Sequence, residues 1–305
     1  MRKTCLDTVF EIAKKNKKVV FIGSDLGPGV LNEFKKKIPK RFYMEGVCEQ
    51  AIIGLSAGLA LEGYIPYVNT IATFITRRCL EQIIVDLCLH NLPVKLIGNG
   101  GGLVYAPLGP THQAIEDISI MRSIPNMSII SPCDAVEMKL LMLDSVNYKS
   151  PLYIRIARGG EKIITSPNKL KKIGKGEILK KPNDHLFITT GVMAQRALDA
   201  SIHLEKEKNL KVGVLHLPTI KPLDEEILTK WVPKVKKIVT VEENVLSGGF
   251  GSSILEFVNS KMPDQSFKIT RVGLNDSFIE NYGTQEDLLN ENSLSVKNLI
   301  KKICN

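Results

Sequence analysis

Glu49, Phe74, the pair Arg77 and Arg78, His112 and Arg158 are the side chains whose types and spacing could do chemistry. Glu49 opens the apolar run Ala51 to Leu61, whose helical period places a carboxylate in a first helical turn. Phe74 lies in TIATFITRR, directly after an apolar strand-like run and just ahead of two arginines. A planar guanidinium can grip a phosphate or carboxylate through paired hydrogen bonds, whereas a lone aromatic there is more commonly core. His112 sits near the end of the long loop IGNGGGLVYAPLGPTHQ and is a candidate general acid or base near neutral pH, although a single histidine is ordinarily structural. Consecutive glycines in that loop permit close backbone approach, but the run matches neither GxGxxG nor a Walker pattern. Arg158, in ARGG after the run Leu152 to Ile156, reads as a phosphate ligand or as a surface arginine at a domain junction. Further on, the glycines of VEENVLSGGFGSSILEF either hold an anion at a helix start or let that helix pack closely on a sheet.

The elements that must position these residues alternate between two periods. Short apolar runs at Val19 to Gly23, Ile65 to Val68, Val94 to Gly98, Met127 to Ile130 and Leu152 to Ile156 are separated by helical patterns, the first of them at about Leu6 to Asn16. A turn-rich GSDLGPG follows the first run. Such alternation predicts a parallel sheet covered on both faces, with function gathered in the loops after the strand carboxyl ends. A second series repeats the pattern at Leu186 to Thr190, Ala194 to Glu207, Val212 to Leu215, Lys237 to Val241, Ser252 to Asn259 and Lys268 to Val272. The fold class is therefore α/β, two consecutive doubly wound domains with mainly parallel sheets. Residues 1–165 form the first, 166–184 a linker and 185–305 the second. In the helix after Glu49, Ala51, Gly54 and Gly58 leave one face nearly without side chains. Interior glycines cost about 1 kcal/mol each relative to alanine, a cost recovered either by tight core packing or by a subunit interface.

A chain of 305 residues that is 44% hydrophobic and 24% charged has an ordinary globular composition. Its longest strongly apolar run falls far short of the ~20 residues that span a bilayer. Asp7, Glu11 and KKNKK are incompatible with a signal peptide at the N-terminus, so a cytoplasmic protein without membrane contact is expected. Six cysteines without a CxxC pair support neither a zinc site nor a disulfide framework. The net charge of +9 comes mostly from lysine clusters without interleaved aromatics; they read as solvated surface rather than a nucleic-acid interface, and a basic chain suits anionic substrates or an acidic partner.

The order of the motifs is more specific than any one of them. EGVCEQ with GLALEGY, then TFITRR, NLPV, GLV with GPTHQ, PCDAVE, RIARG, KPLD and EENVLSGGFGS together resemble the C-terminal half of transketolase and of 1-deoxyxylulose-5-phosphate synthase, over essentially the whole chain. The resemblance implies a pyrimidine-binding domain followed by the family's C-terminal domain, with thiamine diphosphate and magnesium as cofactors. By that resemblance, Glu49 would hydrogen-bond the ring nitrogen of the cofactor's aminopyrimidine and favour the imino tautomer that removes the thiazolium proton. Phe74 would stack on the aminopyrimidine, and His112 would shuttle protons at the substrate. Arg77 and Arg158 fall on positions that bind substrate phosphate in the synthase branch. Two departures stand out: Leu108 replaces an aspartate that contacts a donor hydroxyl, and Ile71 replaces a substrate-binding tyrosine of the synthase branch.

No residue of this chain is assigned to the metal. The family's GDG motif, which with a later asparagine holds diphosphate and magnesium, occurs nowhere in the sequence. The expected state is therefore an α2β2 assembly with an N-terminal-half subunit carrying the diphosphate-binding domain, together with self-association across the pyrimidine domain. The expected reaction is transfer of a two-carbon ketol unit between sugar phosphates. Alternatives are a deoxyxylulose phosphate synthase-like condensation, a 2-oxo-acid dehydrogenase beta-type subunit and a non-catalytic assembly subunit.

Overall fold

Apolar side chains alternate along the first strands between two separate cores, which forces layers onto both faces of a central sheet. In Val19–Ser24 (β1), Phe21 enters one core and Ile22 the other. In Ile65–Ile71 (β3), Tyr67 and Val68 divide in the same way. The computed structural model describes residues 1–24, 31–168, 171–263 and 267–305. Most of the GSDLGPG loop, and Lys169, lie outside the described residues.

The remaining strands are Phe42–Glu45 (β2), Lys95–Asn99 (β4), Ser128–Ile130 (β5), Leu152–Ile156 (β6), Glu177–Lys180 (β7), His185–Thr189 (β8), Val212–His216 (β9), Thr219–Lys221 (β10), Lys237–Val245 (β11) and Lys268–Leu274 (β12). Among the described residues they form a seven-stranded sheet ordered β10-β5-β6-β4-β3-β1-β2 and a five-stranded sheet ordered β12-β11-β8-β9-β7. All pairings are parallel except β10 with β5 and β7 with β9. The parallel strands of the first sheet therefore present their carboxyl ends along one edge, where Ser24, Ile71, Asn99 and Ile156 end β1, β3, β4 and β6.

Helix Arg2–Lys15 buries Cys5, Leu6, Val9, Ile12 and Ala13 at helical spacing and places Lys14 and Lys15 at its negative dipole end. Helix Glu49–Leu61 buries Ile52, Ile53, Ser56, Ala57 and Ala60. Its opposite face, Ala51, Gly54 and Gly58, is exposed, and a Cβ at either glycine would meet nothing within 4 Å. Core packing within this chain thus does not account for those glycines.

The two halves are joined more closely than a linker would require. Part of the stretch read as 166–184 linker is β7, and β10 crosses back to extend the first sheet. Both are edge strands of three or four residues, too short to show a period. Beside this junction, the carboxylate of Glu137 takes a 2.7 Å bond from His216 Nε2 and lies 3.4 Å from Lys171 Nζ. It also accepts from the backbone amide of Cys133, within a fully buried cluster. Burial alone would raise the Glu137 pKa, but His216 and Lys171 outweigh it and bring the carboxyl down to about 2 from 4.5.

A depressed carboxyl pKa stabilises the fold above the unfolded value and loses that contribution as pH falls through the folded one. Glu137→Gln should cost about 3 kcal/mol at neutral pH. In denaturant unfolding, the gap to the unsubstituted chain should close as pH drops from 4.5 toward 2. A gap of constant size would show that the charge is not what matters.

Candidate active site

The carboxylate of Glu49 is 1% exposed at the start of its helix and is surrounded by donors from three elements. Ser24 Oγ, at the end of β1, lies 3.3 Å from Oε1 and shares its one proton between that oxygen and Gly46 O at 3.0 Å, and Thr70 Oγ1, near the end of β3, lies 3.5 Å from Oε1. Arg78 Nη1 binds Oε2 at 2.7 Å. Phe74–Arg78 is a π-helical turn, so its first and last residues share a side, and the Arg78 guanidinium carbon sits 4.3 Å from the Phe74 ring centroid. His112 meets the same ring edge-on, with centroids 5.2 Å apart and planes at 64°. Glu49, Arg78, Phe74 and His112 therefore form one contiguous chain of contacts at the carboxyl edge of the sheet.

The loop bearing His112 is pinned at its root. Gly100 and Gly101 donate to Ile156 O at 2.9 and 3.1 Å, and Gly102 and Ala114 exchange bonds of 2.8 and 3.0 Å. Gly102 has φ +71, and a Cβ there would collide with the Glu243 side chain, so glycine is required on both counts. Glu243, from β11 of the second sheet, accepts from Leu103 N at 2.9 Å and from Gln285 Nε2 at 2.8 Å. Nearer the tip, His112 N returns to Gly109 O at 3.0 Å, and Nδ1 pairs with Thr111 Oγ1 at 2.9 Å.

The other two expected residues lie around this group. Arg77 faces away from Glu49: it pairs with Glu116 and donates to Gln113 O at 3.0 Å and Pro110 O at 3.5 Å. Arg158 is exposed, without an ion pair among the described residues, and lines a cavity of about 230 Å³ with Arg2, Gly100, Tyr105 and Leu108. Leu108 is 51% exposed in the turn Ala106–Leu108, and Ile71 ends β3 half-buried.

The arginine pair stands out in the sequence and the resemblance selects Arg77 from it, but it is Arg78 that turns to the Glu49 carboxylate. The available signal was spacing, since Arg78 follows Phe74 at i+4 on a helical turn, where side chains meet. Ser24, Thr70 and Glu243 carried no such signal. Cys79, next to Arg78, is not a thiolate: burial first, then the Glu49 charge, pushes its pKa to about 12.

The arrangement can hold a flat, nitrogen-donating group against Phe74 with one donor directed at Glu49, because the Arg78 guanidinium is held in that way. Nearby, Asn69 Nδ2, Asn99 Oδ1 and both polar side-chain atoms of Gln113 are buried without a partner among the described residues, leaving unused donors and acceptors around the strand ends. Cys133, Glu137 and His216 bring potential metal-ligand atoms within 4.8 Å of one another, a cluster invisible in the sequence spacing. The Lys171 ammonium already supplies the cation there.

Comparison with known proteins gives a consistent pattern. Residues 1–160 match the family model described as transketolase, pyrimidine binding domain, and residues 174–298 that of transketolase, C-terminal domain. The chain is 36% identical over 296 residues to 1-deoxy-D-xylulose-5-phosphate synthase of Clostridium perfringens, covering 96% of this chain and 47% of that protein. It thus spans about half the length of the curated relatives it matches. Among solved structures, a split-gene transketolase described as an inactive beta4 tetramer matches with TM-score 0.91 and 31% identity, over 99% of this chain and 96% of that one. Transketolase from Campylobacter jejuni, at 20% identity and TM-score 0.80 over 98% of this chain and 46% of that one, shares the fold.

Arg77 ties three points of the segment that carries His112, so Arg77→Ala should loosen it. Amide exchange at residues 111 to 114 is expected to rise about tenfold, in line with ~1.5 kcal/mol for a lost charged hydrogen bond, while the strands stay protected. Unchanged exchange in that segment would leave the arginine free for another role.

Proposed function

The chain belongs to the transketolase family, and from that premise we propose that it is the pyrimidine-binding and C-terminal part of a thiamine diphosphate-dependent transferase. The observation that carries this reading is the meeting of Glu49, Phe74 and His112 at one edge of the sheet. When bound, thiamine diphosphate supplies the nucleophile and electron sink for breaking and making a carbon–carbon bond beside a carbonyl. Glu49, buried and at a helix start, would accept the ring-nitrogen hydrogen bond of the aminopyrimidine and exchange its proton there. Phe74 would hold the ring by an offset contact worth ~0.5 to 1.5 kcal/mol beyond burial. His112, half-buried against Phe74, would move a proton at the substrate's hydroxyl or carbonyl oxygen.

We propose that the diphosphate and magnesium are held mainly by a second polypeptide carrying the diphosphate-binding domain, in an α2β2 assembly. Near end-to-end coverage of a split-gene transketolase chain supports a two-chain enzyme. The open face Ala51, Gly54 and Gly58, with Val47, Leu55 and Leu61 exposed beside it, supports close packing of another helix across an interface. No helix among the described residues is long and apolar enough to cross a membrane, and we propose a cytoplasmic enzyme.

The proposed reaction is ketol transfer between sugar phosphates, with Arg158 binding substrate phosphate. Arg77 would first have to release Glu116 to join it. A second reading, condensation of a 2-oxo acid donor with an aldose phosphate, is favoured by the exposed apolar Leu108 and by the curated relatives named above. Incubating the chain, together with a transketolase-type N-terminal-half chain, with candidate donors and acceptors and identifying products by mass tests both. Two-carbon extension of an aldose phosphate by a ketose phosphate supports the first, carbon dioxide release from the 2-oxo acid supports the second, and no product with any donor defeats both.

Glu49→Gln preserves shape and removes the exchangeable proton. It should abolish turnover in that assembly and leave the unfolding transition within about 1 kcal/mol of the original. Near-normal exchange of the cofactor's thiazolium proton in the variant would sink the role given to Glu49.

A further inference from the structure

Of the charged groups around the site, Arg78 is the one that pairs directly with Glu49 while remaining partly exposed. Its guanidinium uses both recognition features of the slot at once, the Glu49 carboxylate at 2.7 Å and the Phe74 face at 4.3 Å. An aminopyrimidine would need the same two features, a nitrogen hydrogen bond to Glu49 and a ring face on Phe74. A flat group on the Phe74 face excludes a second one, and a ring seated there would direct its nitrogen at the Glu49 oxygen from the place the guanidinium now occupies. We propose that Arg78 is an internal occupant of the Glu49–Phe74 slot, and that the aminopyrimidine binds only by displacing it. This rests on the cofactor reading given above.

The neighbouring arginines show why Arg78 can leave. Arg155 is 6% exposed and locked by Asp117 Oδ2, Ala114 O and Glu243 O, and Arg77 has three partners in the segment 110–116 that carries His112. The Arg78 side chain is 41% exposed, and Glu49 is its ion-pair partner among the described residues. Water can therefore solvate it as it swings out, and a pair exposed on one side is weak. Glu49 has the opposite constraint, because at 1% exposure its carboxylate needs a replacement donor when the guanidinium departs. Arg78 is thus an exchangeable placeholder that keeps a buried carboxylate paired until the ligand arrives. A slot filled in this way about nine-tenths of the time weakens ligand binding about tenfold, since only the open fraction is competent.

The test uses the full chain, Arg78→Ala and Arg78→Lys, with hydroxymethylpyrimidine, the isolated pyrimidine half of the cofactor, as probe in an NMR titration. This needs neither partner nor turnover. Arg78→Ala should bind the probe about tenfold tighter than the original chain, the fold-change expected from removing a nine-tenths occupant. Arg78→Lys, which lacks the flat face, should behave more like the alanine variant. Millimolar guanidinium chloride, but not equal sodium chloride, should compete with the probe in Arg78→Ala and do little in the original chain. Probe binding of equal strength in all three, or weaker in Arg78→Ala, overturns the placeholder while leaving the cofactor reading intact. Guanidinium-specific stabilisation of Arg78→Ala with no probe binding in any variant means that the slot rejects an aminopyrimidine, and both ideas fall. Unfolding transitions of the two variants confirm that each is folded.

Discussion

Keeping the Glu49 carboxylate out of water is the constraint on which the site depends. Burying such a charge costs several kcal/mol unless donors are already in place. They come from separate elements: Ser24 from β1, Thr70 from β3 and Arg78 from the turn after β3. Their convergence follows from strand register. Gly23 pairs with Asn69, so Ser24 and Thr70 are neighbours across adjacent parallel strands. A slip of one residue would turn one of those hydroxyls to the other face of the sheet. The parallel pairing that defines the fold and the polarity of the site are thus one geometric fact.

The second sheet has a less visible part in the same site. Arg155, at the carboxyl end of β6, bonds Asp117 and reaches Glu243 O at 2.8 Å. The Glu243 side chain grips Leu103 N at the root of the loop that bears His112. The histidine position is therefore set by contacts that run through both halves of the chain. This also explains why residue 102 must be glycine, since its backbone lies directly on that carboxylate.

The helix that begins with Glu49 faces two environments. One side fills the core between Ile52 and Ala60, while the other presents glycines with open space above them. Within the isolated chain, those glycines incur their helix cost with no packing to offset it. This smooth surface, flanked by the exposed Leu55 and Leu61, is what the proposed partner chain would cover.

Local period and residue type were legible in the sequence. They gave the alternating strands and helices, the parallel α/β class, the helix that starts at Glu49 and, through the order of the motifs, the transketolase family. They also singled out Glu49, Phe74 and His112, three residues that the fold brings into one cluster. Tertiary structure alone decided which arginine of the pair turns toward Glu49, because a π-helical turn rather than any composition signal sets that direction. It also decided that Glu177–Lys180 and Thr219–Lys221 are edge strands, and that Cys133, Glu137 and His216 meet. The physical reason is the same in each case. A pattern along the chain reports the faces a segment must bury, whereas pairings between residues far apart depend on register and crossover, which no local pattern encodes.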